Sequence, residues 1–184
     1  MSYDPFYPES AEQIQDIAKS RKFIPDNIFT TVRQWSYTPT ADFIPTRYGP
    51  RGFEFMLAKR HEVPWGGQWF FAGGRILPGE VPEEGMVRGC LRELGFMPRS
   101  DNTRFMLWQS VYNPECVHGG EGYFTMSACW QVWVEADLEI KLDATQSEFK
   151  WFTPGEALET VFSTYVKKAS RHLQMDPSRD YFEE

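Results

Sequence analysis

The chain has 184 residues, 24% of them charged and 41% apolar, and a formal net charge of -7. That length suits one domain with a sizeable core and a terminal extension, in the composition range of soluble globular proteins. An acidic chain with no run of Lys and Arg is a poor partner for a nucleic-acid polymer, whose binding rests on neutralising phosphates. It can still take one small phosphorylated ligand if a metal ion brings the positive charge.

Residues 9–20 carry Ile14 and Ile17 on one helical stripe, with Ser10 as N-cap, and predict a short amphipathic helix within an N-terminal extension of residues 1–25. Residues 28–36 are β-branched and aromatic and read as a strand. The Thr-, Pro- and Gly-rich stretch 37–52 reads as a loop, and 53–59 as a second strand. Residues 69–76 run into a Gly-Pro-rich loop, followed by a helix over 82–94. Two long aromatic, β-branched runs, 105–112 and 123–134, predict strands, the second central. A short strand at 149–152 precedes one or two helices over 153–173. This order of strands, one helix, strands and a final helix makes an α+β domain, an α/β/α sandwich, over residues 26–184.

Cys90, Cys116 and Cys129 are odd in number and lack CxxC spacing, so neither a disulfide framework nor a zinc site is expected. With no leader-like N-terminus and no stretch of transmembrane length, the expected setting is cytoplasmic, without a membrane partner. Seven Trp, eight Tyr and fifteen Phe exceed ordinary core usage and hint at stacking surfaces or a partner interface.

Residues 73–96, GGRILPGEVPEEGMVRGCLRELGF, carry the chemistry. Pro82 occupies a first-turn position, Glu83 and Glu84 follow where the helix dipole favours acids, and Gly95 sits where a C-terminal cap belongs. Met86, Val87, Cys90, Leu91 and Leu94 form one apolar arc, with Glu93 at its edge. A carboxylate bordering a buried face is costly unless it meets a cation or a donor. Gly89 in mid-helix costs about 1 kcal/mol against Ala. Both features suit a helix packed beside a site that needs close backbone approach and one anchored carboxylate.

The same segment resembles the Nudix box, G-x5-E-x7-R-E-U-x-E-E-x-G-U with U aliphatic. Gly74, Glu80, Arg88, Glu93 and Gly95 fall on its positions, and Cys90 and Phe96 fill two U positions loosely. Two glutamates of the box are replaced, by Gly89 and Arg92, which removes a full carboxylate cluster for several metal ions. This reduced form resembles the GDP-mannose mannosyl hydrolase branch of the family, as do LAKRHEVPWGGQWFFAGGR (57–75), LWQSVY (107–112) and TQSEFKWFT (145–153). The resemblance runs over roughly residues 26–160.

It implies a Nudix fold, a mixed β-sheet flanked by helices, and one magnesium ion, or manganese in its place, held by the Gly73 carbonyl, Glu93 and Gln146, with Glu80 as a further candidate ligand. Arg75 and Arg60 would face the diphosphate of a nucleotide sugar, binding it and countering charge on the leaving group. Arg88 is expected to orient a carboxylate such as Glu80. In that branch water attacks the sugar carbon and a loop histidine five residues before the tryptophan serves as base; here the position five before Trp151 is Gln146, which takes no proton at neutral pH. Glu148, His118, Glu121 and His61 are the candidate replacements. Tyr112, Trp108 and Phe71 are candidates for stacking on a nucleobase. A homodimer is expected by analogy with the branch. The expected activity is magnesium-dependent release of a nucleoside diphosphate and a sugar from a nucleotide sugar. Two alternatives stay open: attack at phosphorus with Glu80, Glu93 and Glu148 holding the metal, or a nucleotide-binding domain with little catalysis.

Overall fold

The computed structural model describes residues 25–115, 121–161 and 163–173. The expected helix over 9–20, the extension 1–25 apart from its last residue, and His118 and Cys116 lie outside these residues.

The described residues begin with helix α1 (Asp26–Trp35), then strands β1 (Thr38–Gly49), β2 (Gly52–Arg60), β3 (Trp69–Phe70) and β4 (Ala72–Arg75). Helix α2 (Pro82–Leu94) follows, then a short 3-10 turn, strands β5 (Thr103–Asn113), β6 (Tyr123–Trp133) and β7 (Gln146–Phe152), and helices α3 (Pro154–Thr160) and α4 (Thr164–Ser170). All seven strands form one mixed sheet with the path β3-β2-β1-β6-β5, while β4 pairs with β1 and β7 with β2. Strand β1 lies parallel to β6 over Thr38 to Thr46 and antiparallel to its other neighbours.

Two of the sequence expectations are corrected. Of residues 28–36, read as a strand, all but Ser36 lie in a helix: Phe29 and Arg33, one turn apart, are buried, while Ile28, Val32 and Trp35 stay exposed. Packing at helical spacing overrides the β-branched composition. Residues 38–49, read as loop, form the longest strand. Pro39 and Pro45 gave the loop signal, yet β1 tolerates both. Along one edge β1 pairs with β4 over Thr40–Phe43 and with β2 over Thr46–Gly49. Pro39 precedes the first ladder and Pro45 falls in the switch between the two, so neither missing N–H interrupts a ladder on that edge. The C-terminal segment resolves into two helices.

The two faces of the sheet bury separate cores. Phe43, Met56, Ala72 and Val132 pack against Met86, Cys90 and Leu94 of α2. On the other face Ile44, Phe55, Leu57, Phe71 and Phe152 meet Tyr165, Val166 and Ala169 of α4. Of the apolar arc expected on α2, Leu91 is exposed rather than buried. The helix boundaries follow the sequence signals: Pro82 begins it, the Glu84 carboxylate accepts the Val81 N–H at 3.1 Å, and Gly95 caps it with φ 76°. Gly89 lets α2 reach the sheet, since a Cβ there would stand 2.6 Å from Cε1 of the fully buried Phe43.

Gly89→Ala should therefore destabilise the protein by about 1 kcal/mol: overpacking a buried ring costs about 1–3 kcal/mol, and the better helix propensity returns about 1 kcal/mol. Urea unfolding would measure it, with Phe43→Leu recovering part of the loss in the alanine background.

Candidate functional site

A cleft of about 210 Å³ opens where one face of the sheet runs out from under α4. Strand alternation builds it: Thr38, Thr40 and Asp42 point into it from β1, Val111 and Asn113 from β5, and Tyr123 and Thr125 from β6. Gly73, Gly74 and Arg75 close one side, Arg60 and the 63–65 turn another, and Phe29 of α1 a third. The Trp65 indole N–H donates to Asn113 Oδ1 at 3.1 Å. Its ring stacks on Phe70, which stacks in turn on Tyr165, with centroids 5.8 and 5.2 Å apart.

That ring column ends on a buried carboxylate. The Tyr165 hydroxyl donates to Asp42 Oδ2 and also contacts Cys129 Sγ at 3.3 Å. Burial pushes the Asp42 pKa up to about 6, against the opposing pull of the Tyr165 and Ser127 hydroxyls, and the Glu93 charge raises it further. Burial likewise pushes the Cys129 thiol up to about 12 and the Tyr165 hydroxyl well above its usual range. Facing the cleft are two guanidinium groups with no ion-pair partner among the described residues. Arg60 Nε is buried without a hydrogen-bond acceptor, and the Arg75 guanidinium lies 4.1 Å over the Phe29 ring.

Behind Gly73 lies a second group. The Gly73 N–H donates to Glu93 Oε2 at 3.0 Å, the Gln146 amide N–H approaches the same oxygen at 3.5 Å, and the Arg92 guanidinium pairs with Oε1. Glu93 is almost fully buried and burial raises its pKa, with Arg92 opposing. Gln146 Oε1 is buried with no partner. A buried carboxylate and an unsatisfied amide oxygen side by side are the oxygen donors that a hard cation takes, so these residues fit a magnesium ion. Among the described residues no group of three or more His, Cys, Asp and Glu side chains could hold a metal, so Glu80, Glu93 and Glu148 are not gathered into one cluster.

A profile of the NUDIX domain matches residues 37–173. The chain belongs to the NUDIX domain family. Among solved structures, the Nudix fold matches the NUDIX domain of NrtR from Shewanella oneidensis complexed with ADP ribose, at 17% identity and TM-score 0.56, covering 74% of this chain and 87% of that one. It also matches the Ap4A hydrolase of C. elegans, at 14% identity, TM-score 0.56, and 73% and 93% coverage. A MutT NUDIX hydrolase from Burkholderia pseudomallei aligns at 16% identity and TM-score 0.59, covering 76% of this chain and 99% of that one. At these identities the likeness is one of fold. Among the described residues of the Nudix domain no helix is long and apolar enough to cross a membrane. Among the described residues Cys90 and Cys129 are free and buried.

Several residues singled out in the sequence converge. Gly73, Glu93 and Gln146 meet at one place, and Arg60 and Arg75 line one cleft. Others stand elsewhere. Glu80 is held by Arg88, at 2.6 and 2.9 Å, and accepts the Leu77 N–H at 2.7 Å, while Arg88 also donates to the Arg75 carbonyl at 2.7 Å. That ion pair braces the loop leaving β4, the orienting role expected of Arg88. Glu148 faces solvent, paired with Lys59 at 2.8 Å. A register shift beside Lys59 and Arg60 sets Gln146 opposite Arg60 and Glu148 opposite Lys59, so Gln146 points inward and Glu148 outward. Tyr112 and Trp108 lie on the exposed face of β5, away from Val111 and Asn113, and Phe71 is core. His61 and Glu121 are exposed and do not line the cleft.

Asp42 and Phe29 are among the site residues that the sequence reading missed. Both lay in segments given the wrong structure, residues 37–52 and 28–36. A usable signal existed for Asp42, a lone acid among Ala41, Phe43 and Ile44, the pattern of a charge forced into a core strand.

A carboxylate whose folded pKa lies above its unfolded value binds its proton more tightly in the native state. Its charge costs nothing below the unfolded value near 3.8, and the full cost is reached once pH passes about 6. In EDTA, Asp42→Asn should raise stability at pH 7–8 by as much as about 3 kcal/mol. The gain should shrink as pH falls through this window, as read from denaturation curves at several pH values.

Proposed function

We propose that the protein hydrolyses a nucleoside-diphosphate sugar with magnesium, or manganese in its place, releasing the nucleoside diphosphate and the free sugar. By family and fold it is a Nudix hydrolase. The observation that carries the finer reading is the juxtaposition in one cleft of the buried Asp42 with Arg60 and Arg75, neither of which forms an ion pair at contact distance among the described residues. Relatives of the fold solved with ADP ribose, or acting as Ap4A hydrolase, handle adenosine joined through phosphates to a second group, which supports the substrate class.

On this reading Arg60 and Arg75 grip the diphosphate with paired N–H donors. Phe29 beneath Arg75 holds that guanidinium at the cleft wall. The hydroxyls of Thr38, Thr40 and Thr125, the Asn113 amide and the aromatic sides of Trp65 and Tyr123 are a lining suited to a sugar, whose hydroxyls need donors and acceptors and whose C–H faces pack on rings. Gly73, Glu93 and Gln146 would hold the metal; when bound, it neutralises charge that builds on the departing diphosphate. Asp42 accepts the proton of the attacking water in the role left open by the glutamine at position 146. A carboxylate poised near pH 6 is ionised at neutral pH and still basic enough for that transfer. The Tyr165 hydroxyl fixes which Asp42 oxygen stays free.

Turnover of GDP-mannose, GDP-glucose and UDP-sugars in oxygen-18 water, followed by phosphorus NMR and mass spectrometry, tests the bond broken. Label in the sugar with unlabelled nucleoside diphosphate is expected; label in a phosphate product would replace this reading with attack at phosphorus. Asp42→Asn should lower kcat at least about a hundredfold while leaving substrate affinity near wild type. Arg75→Ala should weaken binding and turnover together.

A further inference from the structure

Arg92 stands where the Nudix box carries a glutamate, and the structure turns that exchange of sign into a contact: its guanidinium pairs with Glu93 Oε1. The strand opposite leaves room for it, since a Cβ on Gly74 would lie 2.9 Å from Arg92 Nη2. The two partners differ in freedom. The Glu93 side chain is 2% exposed and tied by the Gly73 N–H, whereas the Arg92 side chain is 49% exposed.

A second carboxylate is within reach, with Arg92 Nε 3.9 Å from Asp143 Oδ2. The backbone, not the arginine, holds Asp143 there. Its N–H donates to the Glu93 carbonyl at 3.1 Å, and the Lys141 N–H donates to the Leu94 carbonyl at 2.9 Å. A buried carboxylate is stabilised by a positive charge beside it, and Arg92 supplies one. Two cations against one carboxylate repel, so a metal ion and this guanidinium compete for Glu93.

We propose that Arg92 is the resident counter-ion of Glu93, and that a divalent cation takes this carboxylate only by displacing Arg92 onto Asp143. The inference rests on the reading of Gly73, Glu93 and Gln146 as metal ligands. It makes the free protein a weak metal binder and favours entry of the metal together with a diphosphate, whose negative charge offsets the second cation. Gln146 Oε1, buried without a partner, is then the oxygen that gains from the exchange.

Manganese titration of the full chain without nucleotide, read by electron paramagnetic resonance, tests it, with thermal melts confirming that each variant folds. Arg92→Gln, which keeps length and donors but not charge, and Arg92→Ala should each bind manganese about tenfold more tightly than wild type. Asp143→Asn should bind it more weakly, because the displaced guanidinium loses its second carboxylate. Manganese binding by the Arg92 variants alone, with none by wild type, would equally support the proposal. If both Arg92 variants bind no more tightly than wild type while Glu93→Gln abolishes binding, this inference falls and the ligand reading stands. If Glu93→Gln binds as wild type does, both fall.

Discussion

The hydrogen bond from the Gly73 N–H to Glu93 joins the two elements on which the site depends. Helix α2 contributes a carboxylate that water does not reach, and β4 contributes the backbone donor that makes its burial tolerable. Because β4 is registered residue by residue on β1, with Gly73 opposite Asp42, this one contact also fixes the distance between Glu93 and Asp42. A side chain at position 73 would break the arrangement: its Cβ would stand 2.2 Å from Asp42 Oδ1 and 2.7 Å from the Ala41 carbonyl. The glycine is thus required by the approach of two strands and a carboxylate. The helix then needs its own glycine, Gly89, to come close enough to the sheet for Glu93 to reach.

The acid opposite Gly73 is held in a different way. Asp42 meets the Tyr165 hydroxyl rather than a cation at contact distance, so its charge is only partly compensated and its affinity for a proton rises. The column Trp65–Phe70–Tyr165 ties that carboxylate to α4 and to the turn at the cleft mouth, so one stack of rings links the hydroxyl donor to the wall that a ligand would touch. A fold that sought only stability would place an apolar residue at position 42, between Ala41 and Phe43. Keeping an acid there costs stability at neutral pH, which is the usual mark of a residue retained for chemistry.

How much of this could be read in the sequence followed the range of the interactions involved. Helix α2, its proline start, its glycine cap and its anchored Glu93 were legible because their signals are local and fall within one or two turns. The meeting of Gly73, Glu93 and Gln146 was legible through the family pattern alone, since nothing in the spacing of residues so far apart says that they touch. Helix α1 and strand β1 were misread for opposite reasons. Ile28, Thr30, Thr31 and Val32 signalled a strand, but the buried pair Phe29 and Arg33 obeys helical spacing. Pro39 and Pro45 signalled a loop, but they sit where β1 lacks a ladder on one edge, a fact that only the sheet topology supplies. The inward turn of Gln146 and the outward turn of Glu148 depend on a register shift, which strand periodicity by itself would deny.

The two departures from the Nudix box also read differently once placed in space. Gly89 and Arg92 lie on the same helix as Glu93, and neither position is an empty substitution. A glutamate at position 89 would have to fit its Cβ against Phe43, which this sheet packs directly under α2. A glutamate at position 92 would put a second negative charge beside Glu93 and Asp143, where the chain has a guanidinium instead. The core residue Phe43 and the loop residue Asp143 therefore go with the changed box as a set. Restoring either glutamate alone would meet a packing clash or a like-charge cluster, so the reduced box and its surroundings are consistent with one another.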